Sequence, residues 1–244
     1  DKLKAEFVSV ASHELKTPIN VILGYTQLLQ DELYGPLTDK QKNVTIVLEK
    51  QTKTLARLVK QLLDVSRFEA GSGKLDIRPT ELRGFLHNLE ESFQVLADQK
   101  NVRFAINMDG SLPSSVYWDA DRMNEVLGNL LSNAFRFTEK GSVNLRIYNA
   151  KKSWKGDVEG LEKAETVVAF EIADTGIGIP PDKQNIIFEA FQQAEGSTSR
   201  KYGGTGLGLS TVQTIILQNG GTVAVQSAPK QGTRFTILLP RAQE

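Results

Sequence analysis

The stretch Val10-Ala-Ser-His-Glu-Leu-Lys-Thr-Pro18 lies in the first helix that the sequence predicts, and it offers one histidine, His13, to chemistry. Hydrophobic residues between Leu3 and Leu29 recur at steps of three and four, the spacing of a helix with one apolar stripe. At about 100° per residue, His13 lies about 120° from Phe7 at the centre of that stripe. We therefore predict an exposed histidine beside a buried face. A lone histidine on a helix is more often a surface or hydrogen-bonded core residue than a nucleophile.

A second amphipathic helix follows the turn Tyr34-Gly-Pro-Leu-Thr-Asp39. Its apolar positions alternate steps of four and three, a heptad pattern typical of a helix that pairs with another helix. The positions of this pattern, all apolar except Gln51, are Val44, Leu48, Gln51, Leu55, Leu58, Leu62 and Val65. Two helices joined by a short turn make an antiparallel hairpin too thin to bury both apolar faces, so we predict a dimeric four-helix bundle. Polar Gln51 either sets the register of that bundle or is simply tolerated there.

The composition changes after Glu69-Ala-Gly-Ser-Gly73. We assign residues 1–70 to the helical hairpin, 71–74 to a linker and 75–244 to a second domain. That domain mixes six strand-like segments with three helical ones, which favours an α+β two-layer sandwich. The predicted strands are 75–78, 102–106, 143–148, 167–173, 223–226 and 234–239, and the predicted helices are 81–99, 121–137 and 207–218. Residues 150–165, charged and containing glycine, are expected to form an exposed loop or hairpin.

Bulk properties exclude several classes of function. The 29 basic and 29 acidic residues cancel, so no nucleic acid or anionic membrane is implied as a partner. The absence of cysteine excludes a disulfide framework, and two histidines, His13 and His87, cannot build an ordinary zinc site. No apolar run reaches the ~18 residues of a membrane span. We expect a cytoplasmic fragment that makes no membrane contact itself. Its start in mid-pattern indicates a piece of a longer protein, in which an upstream sensor or membrane anchor is left open.

A polar stripe runs along the predicted helix 121–137. Glu125, Asn129 and Asn133 are spaced four residues apart, and Arg136 follows three later. An amide oxygen is a neutral ligand for Mg²⁺, and a guanidinium pairs with phosphate, so the stripe suits a magnesium triphosphate. A solvated helix face explains the same stripe equally well.

The stretch Asp174-Thr-Gly-Ile-Gly-Ile-Pro180 directly follows an apolar strand. A carboxylate there can accept a hydrogen bond from an exocyclic amine such as that of adenine. The glycines let the chain pass close beneath a flat ring. A plain turn accounts for the glycines but not for the placement of the aspartate.

A second glycine-rich stretch, Gly203-Gly-Thr-Gly-Leu-Gly-Leu209, opens the last predicted helix. Glycines before a helix N-terminus present free N–H groups to phosphate, although such a loop alone is weak evidence. The preceding segment 194–202 carries Arg200 and Lys201 and has the composition of a lid over that phosphate or of a plain surface loop.

Taken together and in this order, the motifs resemble the catalytic core of sensor histidine kinases of the HisKA class. The resemblance rests on a phosphoacceptor box 13–18, an N box 129–138, glycine boxes 174–180 and 204–208, and an F box 188–191, and it covers nearly the whole chain. It implies a phosphotransfer hairpin followed by a Bergerat-type ATP-binding domain, with ATP and Mg²⁺ as cofactors. It also implies a homodimer through the hairpin and a response regulator receiver domain as partner.

The resemblance assigns three roles on the hairpin. His13 is the phosphorylated residue, and Glu14 beside it hydrogen-bonds the imidazole or accepts its proton. Thr17 orients water when the kinase dephosphorylates its partner. Neutral imidazole suits the acceptor near pH 7, since its unperturbed pKa is about 6.5.

On the ATP-binding side, the resemblance gives Mg²⁺ to Asn133, adenine to Asp174 and closure over the triphosphate to Arg200 or Lys201. The full implied nucleotide-binding set is Asn129, Asn133, Arg136, Asp174, Gly176, Gly178, Arg200, Lys201, Gly204, Gly206, Leu207, Gly208 and Thr233. Two positions depart from the family pattern, with Arg136 where lysine is common and Gln193 where many members have arginine.

The resemblance leaves two other functions open. ATPases of the gyrase, Hsp90 and MutL group share the nucleotide pocket, but they have no histidine-bearing hairpin and use a glutamate where this chain has Asn129. A dimeric scaffold that only binds nucleotide is the third hypothesis. The stimulus, the cognate regulator and transfer within or between subunits are not readable from the residues.

Overall fold

A computed structural model describes most of the chain, in two compact units that divide between residues 73 and 74. The described residues are 2–69, 75–150, 159–162, 164, 166–189 and 206–240. The linker expected at 71–74 lies outside them. Within these ranges, no helix combines the length and the hydropathy needed to cross a membrane.

The first unit is a hairpin of two long helices, α1 (Lys2–Gln30) and α2 (Asp39–Glu69). Thr38 begins α2 with a reciprocal cap, in which its hydroxyl accepts from the Gln41 N–H (3.4 Å) and the Gln41 side chain accepts from the Thr38 N–H (2.9 Å). This capping box satisfies backbone donors that have no partner in the first helical turn.

The two helices of the hairpin meet through a narrow seam that is partly polar. Its buried residues are Ile19, Thr26, Thr45, Thr52 and Leu63. The threonine hydroxyls donate to carbonyls within their own helix, so their burial leaves no donor unpaired.

The predicted heptad positions of α2 lie on a different face from this seam. Val44 is 58% exposed, and Leu48 and Leu55 are each 47% exposed. At about 100° per residue, this face is centred about 90° from the one that contacts α1. A helix in a four-helix bundle contacts two neighbours, and one hairpin supplies only the first of them.

The second unit confirms the predicted α+β sandwich. Its strands are β1 (Arg78–Glu81), β2 (Arg103–Met108), β3 (Ser115–Trp118), β4 (Ser142–Ala150), β5 (Val167–Asp174), β6 (Thr222–Ser227) and β7 (Thr233–Pro240). Its α-helices among the described residues are α3 (Leu82–Lys100), α4 (Ala120–Phe137), α5 (Glu159–Glu162) and α6 (Gly208–Gln218). Five strands form one mixed sheet in the order β2-β4-β5-β7-β6, and β1 pairs with β3 separately.

Helices α3, α4 and α6 contact the sheet through their apolar faces. Phe135 of α4 is fully buried and lies with its ring centroid 5.9 Å from Phe93 of α3 and 5.4 Å from Phe104 of β2. Burying a side chain of this size contributes roughly 1.5–3 kcal/mol. This packing holds one side of α4 and leaves its polar stripe half-buried at Asn129 and Asn133.

Three details of the predicted domain were wrong. The strand expected at 75–78 begins only at Arg78, and its partner β3 was not predicted. The segment expected to be an exposed loop contains α5, whose Leu161 is completely buried. A four-residue helix is too short for a periodic pattern, so only tertiary packing reveals it.

Replacing the cap of α2 tests this account of the hairpin. We expect Thr38→Ala to lower the unfolding free energy by about 1 kcal/mol, because the first turn of α2 loses a hydrogen-bond acceptor. Thermal unfolding followed by circular dichroism, at one fixed protein concentration, measures the change. Thr54→Ala is the matched control, since the Thr54 hydroxyl bonds only within α2. Equal stability of the two variants would contradict the role of the cap.

Candidate functional site

The site is built around the carboxylate of Asp174 at the end of β5. Its Oδ1 accepts hydrogen bonds from the N–H of Gly176 (2.8 Å) and of Thr233 (3.3 Å). Within the described part of the chain, no group donates to Oδ2. Burial raises the pKa of the Asp174 carboxyl above its usual range, and the two N–H hydrogen bonds oppose that increase. One oxygen is thus fixed by backbone donors, and the other can accept a further hydrogen bond.

Glycines allow the backbone to close around this carboxylate. A Cβ on Gly176 would lie 2.4 Å from the Phe137 carbonyl oxygen, and one on Gly178 would lie 1.9 Å from that of Ala228. Gly232, next to Thr233 on β7, has a φ of +80° and would bring a Cβ within 1.9 Å of the Asp174 carbonyl oxygen. No side chain fits at these three contacts.

Helix α4 contributes two asparagines to the same region. The Nδ2 of Asn129 is buried and has no hydrogen-bond partner among the described residues. Its Oδ1 lies 3.5 Å from the position of a Cβ on Gly208, the first residue of α6. Asn133 and Arg136 follow toward the end of α4, both half-buried. A buried amide donor without a partner calls for an acceptor that a ligand would supply.

The C-terminal end of α4 is held from two sides. The Lys100 ammonium of α3 donates to the carbonyl oxygens of Phe135 and Thr138, the latter at 3.2 Å. From the other side, the Ile177 N–H donates to the Phe137 carbonyl at 3.3 Å. A cation at a helix C-terminus is stabilising because the carbonyls there carry partial negative charge. These bonds fix the turn that carries Arg136 against the glycines after Asp174.

The start of α6 lies beside Asn129 through Gly208. Leu207 is buried, and its carbonyl accepts from the Ser210 and Thr211 hydroxyls at 2.9 and 2.8 Å. Gly206 has a φ of +69°. The predicted Arg200, Lys201 and Gly204 lie outside the described residues, as does the whole of the predicted lid 194–202.

Phe188, the first residue of the predicted F box, packs edge-to-face against Phe235 of β7 with 6.2 Å between ring centroids. On the hairpin, the described side chains of Glu14 and Thr17 are exposed, and each takes part in an interaction. His13 lies within α1, but its side chain is outside the described part.

Family comparisons agree with this arrangement. Residues 118–243 match the model of the histidine kinase-, DNA gyrase B- and HSP90-like ATPase family, HATPase_c. Residues 3–71 match the His Kinase A (phospho-acceptor) domain, HisKA. The chain belongs to the histidine kinases. Its HisKA domain is the hairpin, and its HATPase_c domain contains the site around Asp174.

Relatives of the two domains together are sensor kinases. The chain is 38% identical to hybrid signal transduction histidine kinase D of Dictyostelium discoideum and 36% identical to the autoinducer 2 sensor kinase/phosphatase LuxQ of Vibrio parahaemolyticus. These alignments cover 98% and 97% of the chain but only 15% and 26% of the relatives. The crystal structure of full-length ShkA in complex with AMPPNP matches with 31% identity and a TM-score of 0.79, over 98% of this chain and 46% of that one.

Three polar residues near the site were not predicted. Lys100 holds the end of α4, and Ser227 and Gln184 bond to the chain that follows Asp174. Lys100 and Ser227 are distant in sequence from the residues they support, and Gln184, five residues after Ile179, also bonds to Ser227, 43 residues away, so no local pattern marks these contacts. Ser227 ends a strand and precedes a turn, which is an ordinary place for serine.

Replacing Asp174 by asparagine should have opposite effects on ligand binding and on stability. We expect Asp174→Asn to weaken ATP binding at least tenfold, about 1.4 kcal/mol, because the acceptor Oδ2 is replaced by an amide nitrogen that can only donate. Stability without ligand should rise at pH 7, since the carboxyl is costly to ionise in the folded state. This destabilisation is absent at pH values below the unfolded-state pKa of about 3.8, and it reaches its full size at pH values above the raised pKa of the folded state.

Nucleotide titration measures the first effect, and thermal unfolding at pH 7 and near pH 3.5 measures the second. Asp182→Asn is the control, because that aspartate is exposed and, within the part of the chain that the structure describes, pairs with Lys183 at 3.7 Å. Unchanged ATP affinity in Asp174→Asn would contradict the assignment of Asp174.

Proposed function

We propose that this chain transfers the γ-phosphoryl group of Mg·ATP to His13 and then to an aspartate of a response regulator receiver domain. The observation that carries the proposal is the Asp174 carboxylate, with Oδ1 held by two backbone N–H groups and Oδ2 without a donor among the described residues, beside close-packed glycines. It occurs in one chain with a HisKA hairpin.

At the adenine end, Oδ2 of Asp174 accepts a hydrogen bond from the exocyclic amine. Gly176 and Gly178 keep the backbone flat against the base, since a Cβ at either position meets a carbonyl oxygen. The Thr233 N–H donates to the same carboxylate, and the Thr233 hydroxyl lies 2.9 Å from the Ser227 Oγ. A base lacking the amine would leave a buried carboxylate oxygen unpaired, which supports selection of adenine.

At the phosphate end, the buried Nδ2 of Asn129 donates to a phosphate oxygen. The N–H groups at the start of α6, from Leu207 and Gly208, face the same charge. Arg136 adds a guanidinium, and Arg200 or Lys201 closes over the triphosphate together with Gly204 and Gly206.

Mg²⁺ fits this donor set through Asn133. The amide oxygen of Asn133 is a neutral ligand, and no cluster of three or more His, Cys, Asp or Glu side chains suited to a metal occurs in the described ranges. Mg²⁺ binds ATP-using enzymes through few protein ligands, with phosphate oxygens and waters completing its shell. When bound, it neutralises charge on the β- and γ-phosphates.

In the transfer step, the Nε2 lone pair of neutral His13 attacks the γ-phosphorus. The Nε2–P bond forms as the bond from the γ-phosphorus to the β–γ bridging oxygen breaks, and ADP leaves. Glu14 hydrogen-bonds the ring or takes its proton. Positioning supplies most of the rate enhancement in such reactions, because little covalent chemistry falls to the protein.

The hairpin acts as a homodimer, and its exposed residues near His13 receive the regulator. The apolar face of α2 at Val44, Leu48 and Leu55 supports dimerisation, since it is not covered within one hairpin. Thr17 orients water if the same surface also dephosphorylates the regulator. We place this catalytic core in the cytoplasm, where ATP and receiver domains are found.

Radioactive γ-labelled Mg·ATP tests the proposed transfer. We expect acid-labile, base-stable label in the wild type and in His87→Gln, and none in His13→Gln. His87 is the comparison histidine, because it is exposed on α3 and its ion-pair partner among the described residues is Glu91, at 3.6 Å. Label that persists in His13→Gln would show that His13 is not the residue that accepts the phosphoryl group. Phosphate release without any protein label would favour a gyrase-type ATPase, and nucleotide binding without either would favour a scaffold.

Dimerisation can be tested on the apolar face of α2. We expect Leu48→Lys to convert the protein to monomers at micromolar concentration, because a buried unpaired ammonium opposes association. Sedimentation equilibrium measures the mass. Ile46→Lys is the control, since Ile46 is 56% exposed but lies about 160° around the helix from Leu48. Dimers that persist in Leu48→Lys would contradict this face as the interface.

A further inference from the structure

The hydroxyl of Ser227, at the end of β6, uses all of its hydrogen-bonding capacity. Its Oγ donates to the Gly232 carbonyl at 2.8 Å and accepts from the Ile179 N–H at 2.8 Å. The Thr233 Oγ1 lies 2.9 Å away. Because the single Ser227 proton is given to Gly232, the Thr233 hydroxyl is the donor in that third contact. Ser227 thus joins the glycine stretch after Asp174 to the start of β7.

Gln184 adds a second anchor to the same two segments. Its Nε2 donates to the Ile179 carbonyl at 3.0 Å and to the Ser227 carbonyl at 2.8 Å. Both side chains are half-buried. Ile179 is therefore held at its N–H by Ser227 and at its carbonyl by Gln184. We call these two residues the Ser227–Gln184 clamp.

The clamp acts on the two groups that orient Asp174. Asp174, Thr233 and Ser227 lie side by side across β5, β7 and β6, since Thr233 is the register partner of both other residues. Thr233 gives its N–H to Asp174 and its hydroxyl to Ser227. Gly176 gives the other N–H to Asp174 and is three residues from Ile179.

The segment between Gly176 and Pro180 has no helix or strand of its own to hold it. Its position depends on contacts with the turn after β6, where the Lys230 N–H also donates to the Ile177 carbonyl at 2.7 Å. Gly178 touches the Ala228 carbonyl there. Side-chain anchors are needed because a glycine-rich segment has large conformational freedom in their absence.

We propose that the Ser227–Gln184 clamp is a specificity-determining positioning element, which sets the orientation of the Asp174 carboxylate toward the exocyclic amine of adenine. Neither residue touches the base. The inference rests on the proposed recognition of adenine by Asp174. It predicts that losing the clamp removes selectivity for the amine rather than affinity for the triphosphate.

The test compares two nucleotides on the full chain, ATP and purine riboside triphosphate, which lacks the exocyclic amine. The preference for ATP is the ratio of their dissociation constants. We expect Ser227→Ala to reduce this preference roughly three- to tenfold, the size of one net hydrogen bond, and to change the affinity for purine riboside triphosphate less than about twofold. Ser227→Thr keeps the hydroxyl and should keep the preference.

Ser115→Ala is the matched control, because the half-buried Ser115 hydroxyl donates to the Thr80 carbonyl in the separate β1–β3 sheet. If circular dichroism shows that Ser227→Ala does not fold, the same nucleotide comparison is made with Gln184→Met. We expect the same loss of preference for ATP in that variant. An unchanged preference in a folded clamp variant would overturn the proposal, as would an equal loss of affinity for both nucleotides. A wild type that binds both nucleotides equally would instead refute adenine recognition by Asp174.

Discussion

The hydrogen bonds from two backbone N–H groups to Asp174 Oδ1 are the interaction on which the HATPase_c domain depends. They require Gly176 and Thr233, from two separate segments, to approach one carboxylate at the end of the central strand. That approach is possible only because the neighbouring contacts are made by residues without a Cβ, including Gly232 against the Asp174 backbone. The carboxylate is costly to bury, and its two donors and a prospective ligand offset that cost.

The support for this carboxylate extends through the fold. On one side, the glycine segment bonds to the end of α4, which Lys100 also holds. On the other side, Ser227 and Gln184 tie the same segment to the turn between β6 and β7. The asparagines of α4 and the aspartate of β5 are thus coupled through a few short bonds. A shift of the glycine segment would therefore move both the Asp174 carboxylate and the end of α4.

The HisKA hairpin shows a different constraint. Where the structure describes its side chains, the internal seam buries three threonines beside Ile19 and Leu63, while larger apolar side chains on α2 are left exposed. Hydrophobic burial within this part of the hairpin is therefore modest. If a second copy covers the exposed face of α2, folding and association of the hairpin become interdependent.

Much of the fold was predictable because its signals are local and periodic. The two long helices, α4 and the strands β4, β5 and β7 follow from apolar spacing, and the turn after Asp174 follows from glycine placement directly after a strand. The prediction failed at β3 and α5, which are short and take their structure from neighbours. Burial of Leu161 depends on close contact between Gly160 and Gly220, sixty residues apart.

The sequence by itself determined the two-part organisation, the heptad face of α2, and the placement of Asn, Asp and Gly residues at the ends of a helix and a strand. It did so because helical periodicity and the chemistry of Asn, Asp and Gly are properties of short segments. Only the tertiary structure decided which oxygen of Asp174 accepts the backbone hydrogen bonds, which asparagine nitrogen is buried without a partner in the described part of the chain, and that Ser227, Gln184 and Lys100 support the site. Those facts depend on atoms from distant segments meeting within hydrogen-bonding distance, and no pattern along the chain encodes that geometry.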